Sequence, residues 1–258
     1  MPVHSRSPGS GRGQKDTARS AKTAAANPVP ATSPPKLTVV DAAARREQLV
    51  ALYNELKVRQ DPALADCSPN LVFGAGNADA DLMFVGEAPG AEEDRLRLPF
   101  VGRAGKLLDE LLEEVGLVRD EVFITNVLMH RPPGNRDPAP EEIEASKPFL
   151  YRKIELIDPK VVCTLGNFAT KLLTRSSRGI MSVRGRPQIH ELGGRWVRVY
   201  PLCHPAAALR TPATLEALRE DFQRLPALLD EPAPLAPGVP PPAAPPEPAA
   251  VSQLDLFA

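Results

Sequence analysis

Gly86-Glu87-Ala88-Pro89-Gly90-Ala91-Glu92-Glu93-Asp94, closing on Pro99-Phe100-Val101-Gly102, offers backbone N–H groups, carboxylates and an aromatic ring within one short run. It follows the apolar stretch Leu82-Met83-Phe84-Val85, so it reads as the loop leaving a buried parallel strand. Ligands of open α/β sheets sit outside such carboxyl ends. A flat, polar, uncharged ligand held by stacking and hydrogen bonds suits this inventory; so, on its own, does an acidic surface turn before a helix. Ile124-Thr125-Asn126 ends a second strand pattern. An asparagine amide has one acceptor and two donors, enough to match a nucleobase edge in two places, although Asn126 equally suits a turn cap. The loop behind it, Arg131-Pro132-Pro133-Gly134-Asn135-Arg136, carries two arginines able to clamp a phosphate or simply to sit in solvent.

A third run, Cys203-His204-Pro205-Ala206-Ala207-Ala208-Leu209-Arg210, leaves another strand pattern. There His204 can donate a hydrogen bond to a leaving group that gains negative charge, or serve the core. The small alanines permit close approach to a duplex, Leu209 can act as a wedge, and Arg210 can hold phosphate. Val183-Arg184-Gly185-Arg186 is a basic turn that either touches a phosphate backbone or forms a solvated hairpin edge.

The elements that position these runs follow from periodicity. Apolar residues at helical spacing predict a helix over Val40–Val58, and further helices over Ala104–Val115, Pro140–Ile157, Asn167–Thr174 and Ala213–Leu229. Pro140 followed by Glu141 and Glu142 is a favourable helix start. Strands are predicted at Leu82–Val85, Val122–Thr125, Val161–Leu165 and Val197–Leu202, and Gln188–Glu191 with Arg195–Val199 flank Leu192-Gly193-Gly194 as a hairpin. Residues 59–81 read as loop. Alternating strands and helices imply right-handed crossovers and a three-layer α/β/α sandwich around a mostly parallel sheet.

Composition sets the boundaries. Residues 1–40 are rich in Ala, Pro, Ser, Thr and Gly and basic, and residues 230–250 hold nine prolines. Neither can bury enough apolar surface to offset ordering entropy, so both are expected to be disordered arms. The division is a basic arm over 1–40, a core over 41–229 and a proline-rich tail over 230–258. A net charge of −1 conceals local arginine clusters, so it does not exclude nucleic acid. No run approaches the ~18 apolar residues of a membrane span. The three cysteines, Cys67, Cys163 and Cys203, are widely spaced, which favours the reducing cytoplasm over a disulfide framework.

These runs, in this order, resemble the type-4 uracil-DNA glycosylases over roughly residues 71 to 228. The resemblance rests on Gly86–Asp94, Pro99–Gly102, Ile124–Asn126, Arg131–Arg136, Leu165-Gly166 and His204–Arg210. It implies hydrolysis of the N-glycosidic bond of uracil in DNA, leaving an abasic site. It makes Glu87 and His204 catalytic: Glu87 as base or water-positioner, with Glu93 and Asp94 as weaker contenders, and His204 as stabiliser of charge on uracil O2. Gly86 and Ala88 become substrate contacts, Phe100 the ring stacked on the flipped base, and Asn126 the reader of the uracil edge. Arg131, Asn135, Arg136, Leu209 and Arg210 become DNA contacts. The chain departs from the family where four cysteines usually hold a [4Fe–4S] cluster. The first pair falls near Arg59-Gln60-Asp61-Pro62, the third position at His130 and the fourth near Ser146. A cluster needs four thiolates or close substitutes, so no cofactor is expected. Without it the segment 59–70 is expected to depend on packing. A relative that binds damaged DNA without turnover, or one that excises another deaminated base, remains open at this point.

The last residues resemble the pentapeptide by which bacterial repair proteins bind the β sliding clamp: Gln253 for hydrogen bonding, with Leu254, Leu256 and Phe257 as apolar anchors. About 20 proline-rich residues at ~3.1 Å each would tether the core across roughly 60 Å. The expected partners are thus uracil-containing DNA and the clamp, bound by a monomer with no membrane attachment.

Overall fold

The computed structural model describes residues 39–236 and Gly238. Residues 1–38 of the expected basic arm, 237 and 239–258 of the expected tail, and with them the clamp-binding residues Gln253, Leu254, Leu256 and Phe257, lie outside the described residues, whereas Val39 and Val40 belong to the first helix and Asp230 to the last. The described elements run α1 (Val39–Val58), β1 (Ala75–Gly76), β2 (Leu82–Gly86), α2 (Ala91–Leu96), α3 (Arg103–Glu114), β3 (Phe123–Asn126), α4 (Pro140–Ile157), β4 (Val161–Leu165), α5 (Asn167–Thr174), α6 (Ile180–Val183), β5 (Gln188–Leu192), β6 (Arg195–Leu202), α7 (Pro205–Ala208), α8 (Pro212–Phe222) and α9 (Leu225–Asp230). The sheet order is β1-β3-β2-β4-β6-β5. The four inner strands are parallel, and β1 and β5 close the edges antiparallel.

Side chains of a strand alternate between faces, and β2 shows why a continuous apolar run is required here. Leu82 and Phe84 enter one cluster with Leu108 and Leu111 of α3 and Phe222 of α8. Met83 and Val85 enter the other with Leu49 and Leu52 of α1 and Leu150 and Ile154 of α4. Phe84 stacks on Phe222 at 5.9 Å between ring centroids, nearly parallel at 14°. Two apolar clusters on opposite faces make the expected α/β/α sandwich with a mostly parallel sheet. β2 is where successive connections reverse direction: β3 lies on one side of it and β4 on the other. That switch point opens a crevice at the carboxyl ends of the strands.

Three sequence expectations change. The helix over Ala213–Leu229 is two helices, broken at Gln223-Arg224, because Pro226 within a continuous helix would clash with the carbonyl four residues back. Ala75–Gly76 form an edge strand within the predicted 59–81 loop, paired with Ile124 and Phe123. The basic turn Val183–Arg186 is an internal strut: Arg184 Nε donates to the buried Asp221 at 2.8 Å and Nη2 to Ala217 O, fastening the turn to α8.

Behind β3, Lys153 is fully buried, with Nζ donating to Phe73 O, to Thr125 Oγ1 at 2.9 Å and to Met129 Sδ at 2.9 Å. Nζ also lies 4.3 Å from the centre of the Phe73 ring. No carboxylate compensates it there, and burial drives its pKa well below 10.5. Below pH 10.5 the unfolded chain therefore binds more protons at this residue than the folded one, so its contribution to stability rises with pH. Urea unfolding of the wild type and Lys153→Met from pH 7 to 10 is expected to show the wild type gaining on the variant as pH rises. A pH-independent difference would mean that the buried amine stays charged.

Candidate active site

Strand register places the first two site residues side by side: Gly86, last residue of β2, is the partner of Asn126, last residue of β3. Hydrogen bonding continues past the strand ends, from Val127 N to Gly86 O and from Leu128 N to Glu87 O, both 2.9 Å. The loop that carries Glu87 is thus an extension of the ladder. Asn126 is 1 % exposed, yet neither Nδ2 nor Oδ1 has a hydrogen-bond partner. Leaving buried polar atoms unpaired costs ~1–3 kcal/mol each. Such a group is retained where a ligand with both an acceptor and a donor supplies the missing bonds.

Phe100 closes the same corner. Its backbone lies at φ +50°, a conformation unfavourable for an aromatic residue, and three contacts hold it there. The Glu93 carboxylate accepts from Val101 N at 3.0 Å and Gly102 N at 2.8 Å. The Arg119 guanidinium donates to Pro99 O at 2.6 Å. Gly105 of α3 presses directly on the turn: a Cβ there would fall 1.8 Å from Phe100 O. Gly86 plays the same part from below, since a Cβ would meet Asn126 Oδ1 at 2.4 Å and the Phe100 ring at 2.6 Å.

His204 follows β6 and caps the short helix α7. Its ring lies 5.7 Å from that of Phe100, inclined by 28°, and packs against Gly166 at the end of β4. Its Nδ1 accepts from Ala206 N at 3.1 Å. An accepting Nδ1 in a neutral ring leaves the proton on Nε2. Burial keeps the ring neutral by lowering its pKa to about 4, against a smaller opposing effect of Glu93. Glu87 is half-buried; desolvation, then the charge of Asp137, raise its pKa above the ordinary 4.5.

A cleft of about 520 Å³ gathers Glu87, Ala88, Phe100, Asn126 and His204 with Asn135, Arg136 and Arg210 at its rim. Gly86, Arg131 and Leu209 lie outside its lining. Arg131 Nε donates to Asn135 Oδ1 at 2.7 Å, and Leu209 is 40 % exposed. Sequence reading missed Asp137, which lines the cleft, and gave Glu93 the part of a weaker base. With Oε1 bonded to two backbone amides, Glu93 is the anchor of the Phe100 turn. Nothing in its own run of acids marks it; the signal is its fit between Gly90 and Gly102, where Cβ atoms would lie 2.7 and 3.1 Å from its carboxylate.

A larger hollow of about 870 Å³ borders residues 57–71, lined in part by Arg59, Asp61, Cys67, Ser68, Arg97 and His130. Here the resemblance places an iron–sulfur cluster, and the donor set does not fit one. Asp61 pairs with Arg59 at 2.9 Å and accepts from Ala63 N at 3.0 Å. His130 Nδ1 lies 3.0 Å from Ser68 O, and Ser146 is a buried hydroxyl. Cys163 and Cys203 belong to β4 and the end of β6, both buried. Among the described residues no three His, Cys, Asp or Glu side chains stand together as a metal site. No helix among those residues is long and apolar enough to cross a membrane.

A methyl group at Gly86 would displace the amide and the ring that define the pocket, and a misplacement near 1 Å costs ~10²-fold in rate. Gly86→Ala is expected to lose about that much activity on any ligand read by Asn126 and, by urea unfolding, ~1–3 kcal/mol of stability to overpacking while remaining folded. Retained activity would show that the corner is looser than the contacts indicate.

Comparison with known proteins agrees with this geometry. Residues 73–225 match the uracil DNA glycosylase superfamily. The chain is 49% identical over 168 residues to a type-4 uracil-DNA glycosylase of Thermotoga maritima, covering 64% of this chain and 85% of the relative. It is 46% identical over 161 residues to that of Sulfurisphaera tokodaii, covering 60% and 73%. The corresponding protein of Archaeoglobus fulgidus is 44% identical over 183 residues, covering 69% and 92%. With its matched region spanning the strand ends, the Asn126 corner and the His204 turn, this chain belongs to the uracil DNA glycosylase superfamily.

Proposed function

We propose that the chain is a DNA repair glycosylase that hydrolyses the N-glycosidic bond of uracil in DNA. The observation that carries this reading is the buried, unpartnered amide of Asn126 beside the Phe100 ring and the neutral His204. Uracil presents an N–H and a carbonyl on one edge, which satisfy Oδ1 and Nδ2 together. Its flat face suits stacking on Phe100, worth ~1–3 kcal/mol. A base inside a duplex cannot reach such a corner, so the nucleotide is extruded into it. Arg131, Asn135, Arg136 and Arg210 bind the backbone, and the exposed Leu209 fills the space that the base leaves.

The N1–C1′ bond breaks with its electron pair on uracil, and water adds to the oxocarbenium-like sugar. Glu87 positions that water and takes its proton; Gly86 and Ala88 contact the base. His204, with its proton on Nε2, donates to uracil O2 as negative charge develops. Because it is neutral above about pH 4, it stabilises the anion as a hydrogen-bond donor and does not change charge near neutrality. No metal takes part. The protein acts as a cytoplasmic monomer, and residues 253–257 dock on the β sliding clamp, bringing the core to newly made DNA.

Release of free uracil from a labelled duplex tests this. Wild type is expected to release it, His204→Ala to lose ~10²–10³-fold in kcat, and Asn126→Ala to lose discrimination against cytosine. Equal rates in all three would reject the site. Hypoxanthine belongs in the same panel because it also carries an N–H beside a carbonyl; faster release of it would move the preferred base. The acid limb of the pH–rate profile is expected above pH 4.5, where Glu87 takes up its proton. Asp137→Asn removes a neighbouring negative charge, so it is expected to shift that limb to lower pH. An unmoved limb would remove Glu87 as its source.

A further inference from the structure

The rim loop 131–139 is fastened to the segment 59–72 through one buried carboxylate. Glu142, in the first turn of α4, is 2 % exposed. Its oxygens accept from Arg136 Nη1 at 2.8 Å and Nη2 at 2.6 Å, from Ala139 N at 2.7 Å and from Cys67 Sγ at 3.2 Å. Three strands of chain therefore meet on one group: the 59–72 segment at Cys67, the rim at Arg136 and the helix start at Ala139. The backbones run together beside it. Ser68 N donates to Arg131 O at 2.9 Å and Val72 N to Met129 O at 2.8 Å. Farther out, the Arg59 guanidinium covers the Phe149 ring of α4 at 4.8 Å. Each member is in the right protonation state: Arg136 holds Glu142 down to about 2, and burial keeps Cys67 a thiol with its pKa pushed up to about 12. A thiol donates to a carboxylate; a thiolate would repel it.

We propose that Cys67 and Glu142 are positioning residues that fix Arg136 and the rim loop at the cleft, in place of the cluster that the residues near 59–62, His130 and Ser146 do not fit. A cluster would cross-link these same segments through sulfur. This chain cross-links them through a carboxylate, an arginine and one thiol, with no iron. The effect on catalysis rests on the glycosylase reading above, whereas the effect on the loop does not.

Two readouts separate these. Amide hydrogen exchange of residues 131–137 is expected to accelerate about tenfold in Cys67→Val, which loses one charge-assisted bond, and at least about tenfold in Glu142→Gln, which neutralises the acceptor of four, with the core amides of β2 and β4 unchanged. Cys67→Ser, which keeps a donor, is expected to restore wild-type exchange. KM for uracil-containing duplex is expected to rise about tenfold in Glu142→Gln with kcat within about twofold, and adding Arg136→Ala to raise it no further, because coupled residues are not additive. Unchanged loop exchange in Glu142→Gln, faster exchange spread equally over the core, or stoichiometric iron with absorbance near 400 nm after anaerobic purification would overturn the proposal. Absence of uracil release by the wild type would instead overturn the functional reading and leave the exchange result standing.

Discussion

Asn126 sits at the end of a buried strand with an amide that the protein itself does not satisfy, and much of the surrounding structure exists to keep it that way. A free asparagine at a strand end would rotate toward a backbone group or water. Here Gly86 leaves room for the amide only in one place, and the Phe100 ring covers it. The unpaired donor and acceptor cost folding energy that only a complementary ligand recovers. Preorganisation of this kind directs binding energy toward one edge pattern instead of spending it on rearrangement.

Two further constraints extend from that corner. Phe100 occupies a strained backbone, at a cost of order 1–3 kcal/mol, and is held by Glu93, Arg119 and the bare backbone of Gly105. His204 is desolvated by the same crowding, and its N-cap role fixes which nitrogen carries the proton. Burial thus sets shape and electrostatics together: the ring that stacks is also the ring that dries the histidine. The rim is organised differently. Its residues are exposed, with Arg136 tied by charge to the buried Glu142 and Arg131 by a hydrogen bond to Asn135.

The four inner strands and the helices α4 and α5 were legible because their apolar runs and starts obey local rules: Pro140 with two acids opens α4, and Asn167 follows Gly166. Glu87, Asn126 and His204 were legible as candidates because each stands at or just beyond a strand end, where this class of sheet gathers its ligands. What stayed hidden depends on distant partners. The break at Gln223-Arg224 is the exception, since Pro226 marks it locally inside a helical pattern. Arg184 reads as a surface charge until Asp221, far along the chain, is found beneath it. Lys153 gives no sign in sequence that it is buried whole.

The amino-acid order by itself determined the four inner strands, the hairpin at one edge and the side chains delivered to the carboxyl ends, since alternation, helix starts and glycine-rich turns act over a few residues. Tertiary structure alone decided which of those side chains share one cleft and that His204 is desolvated there. It also decided that the Cys67 thiol meets the Glu142 carboxylate, 75 residues along the chain. The reason is physical: register, desolvation and close approach arise between segments tens of residues apart, and no local pattern encodes them.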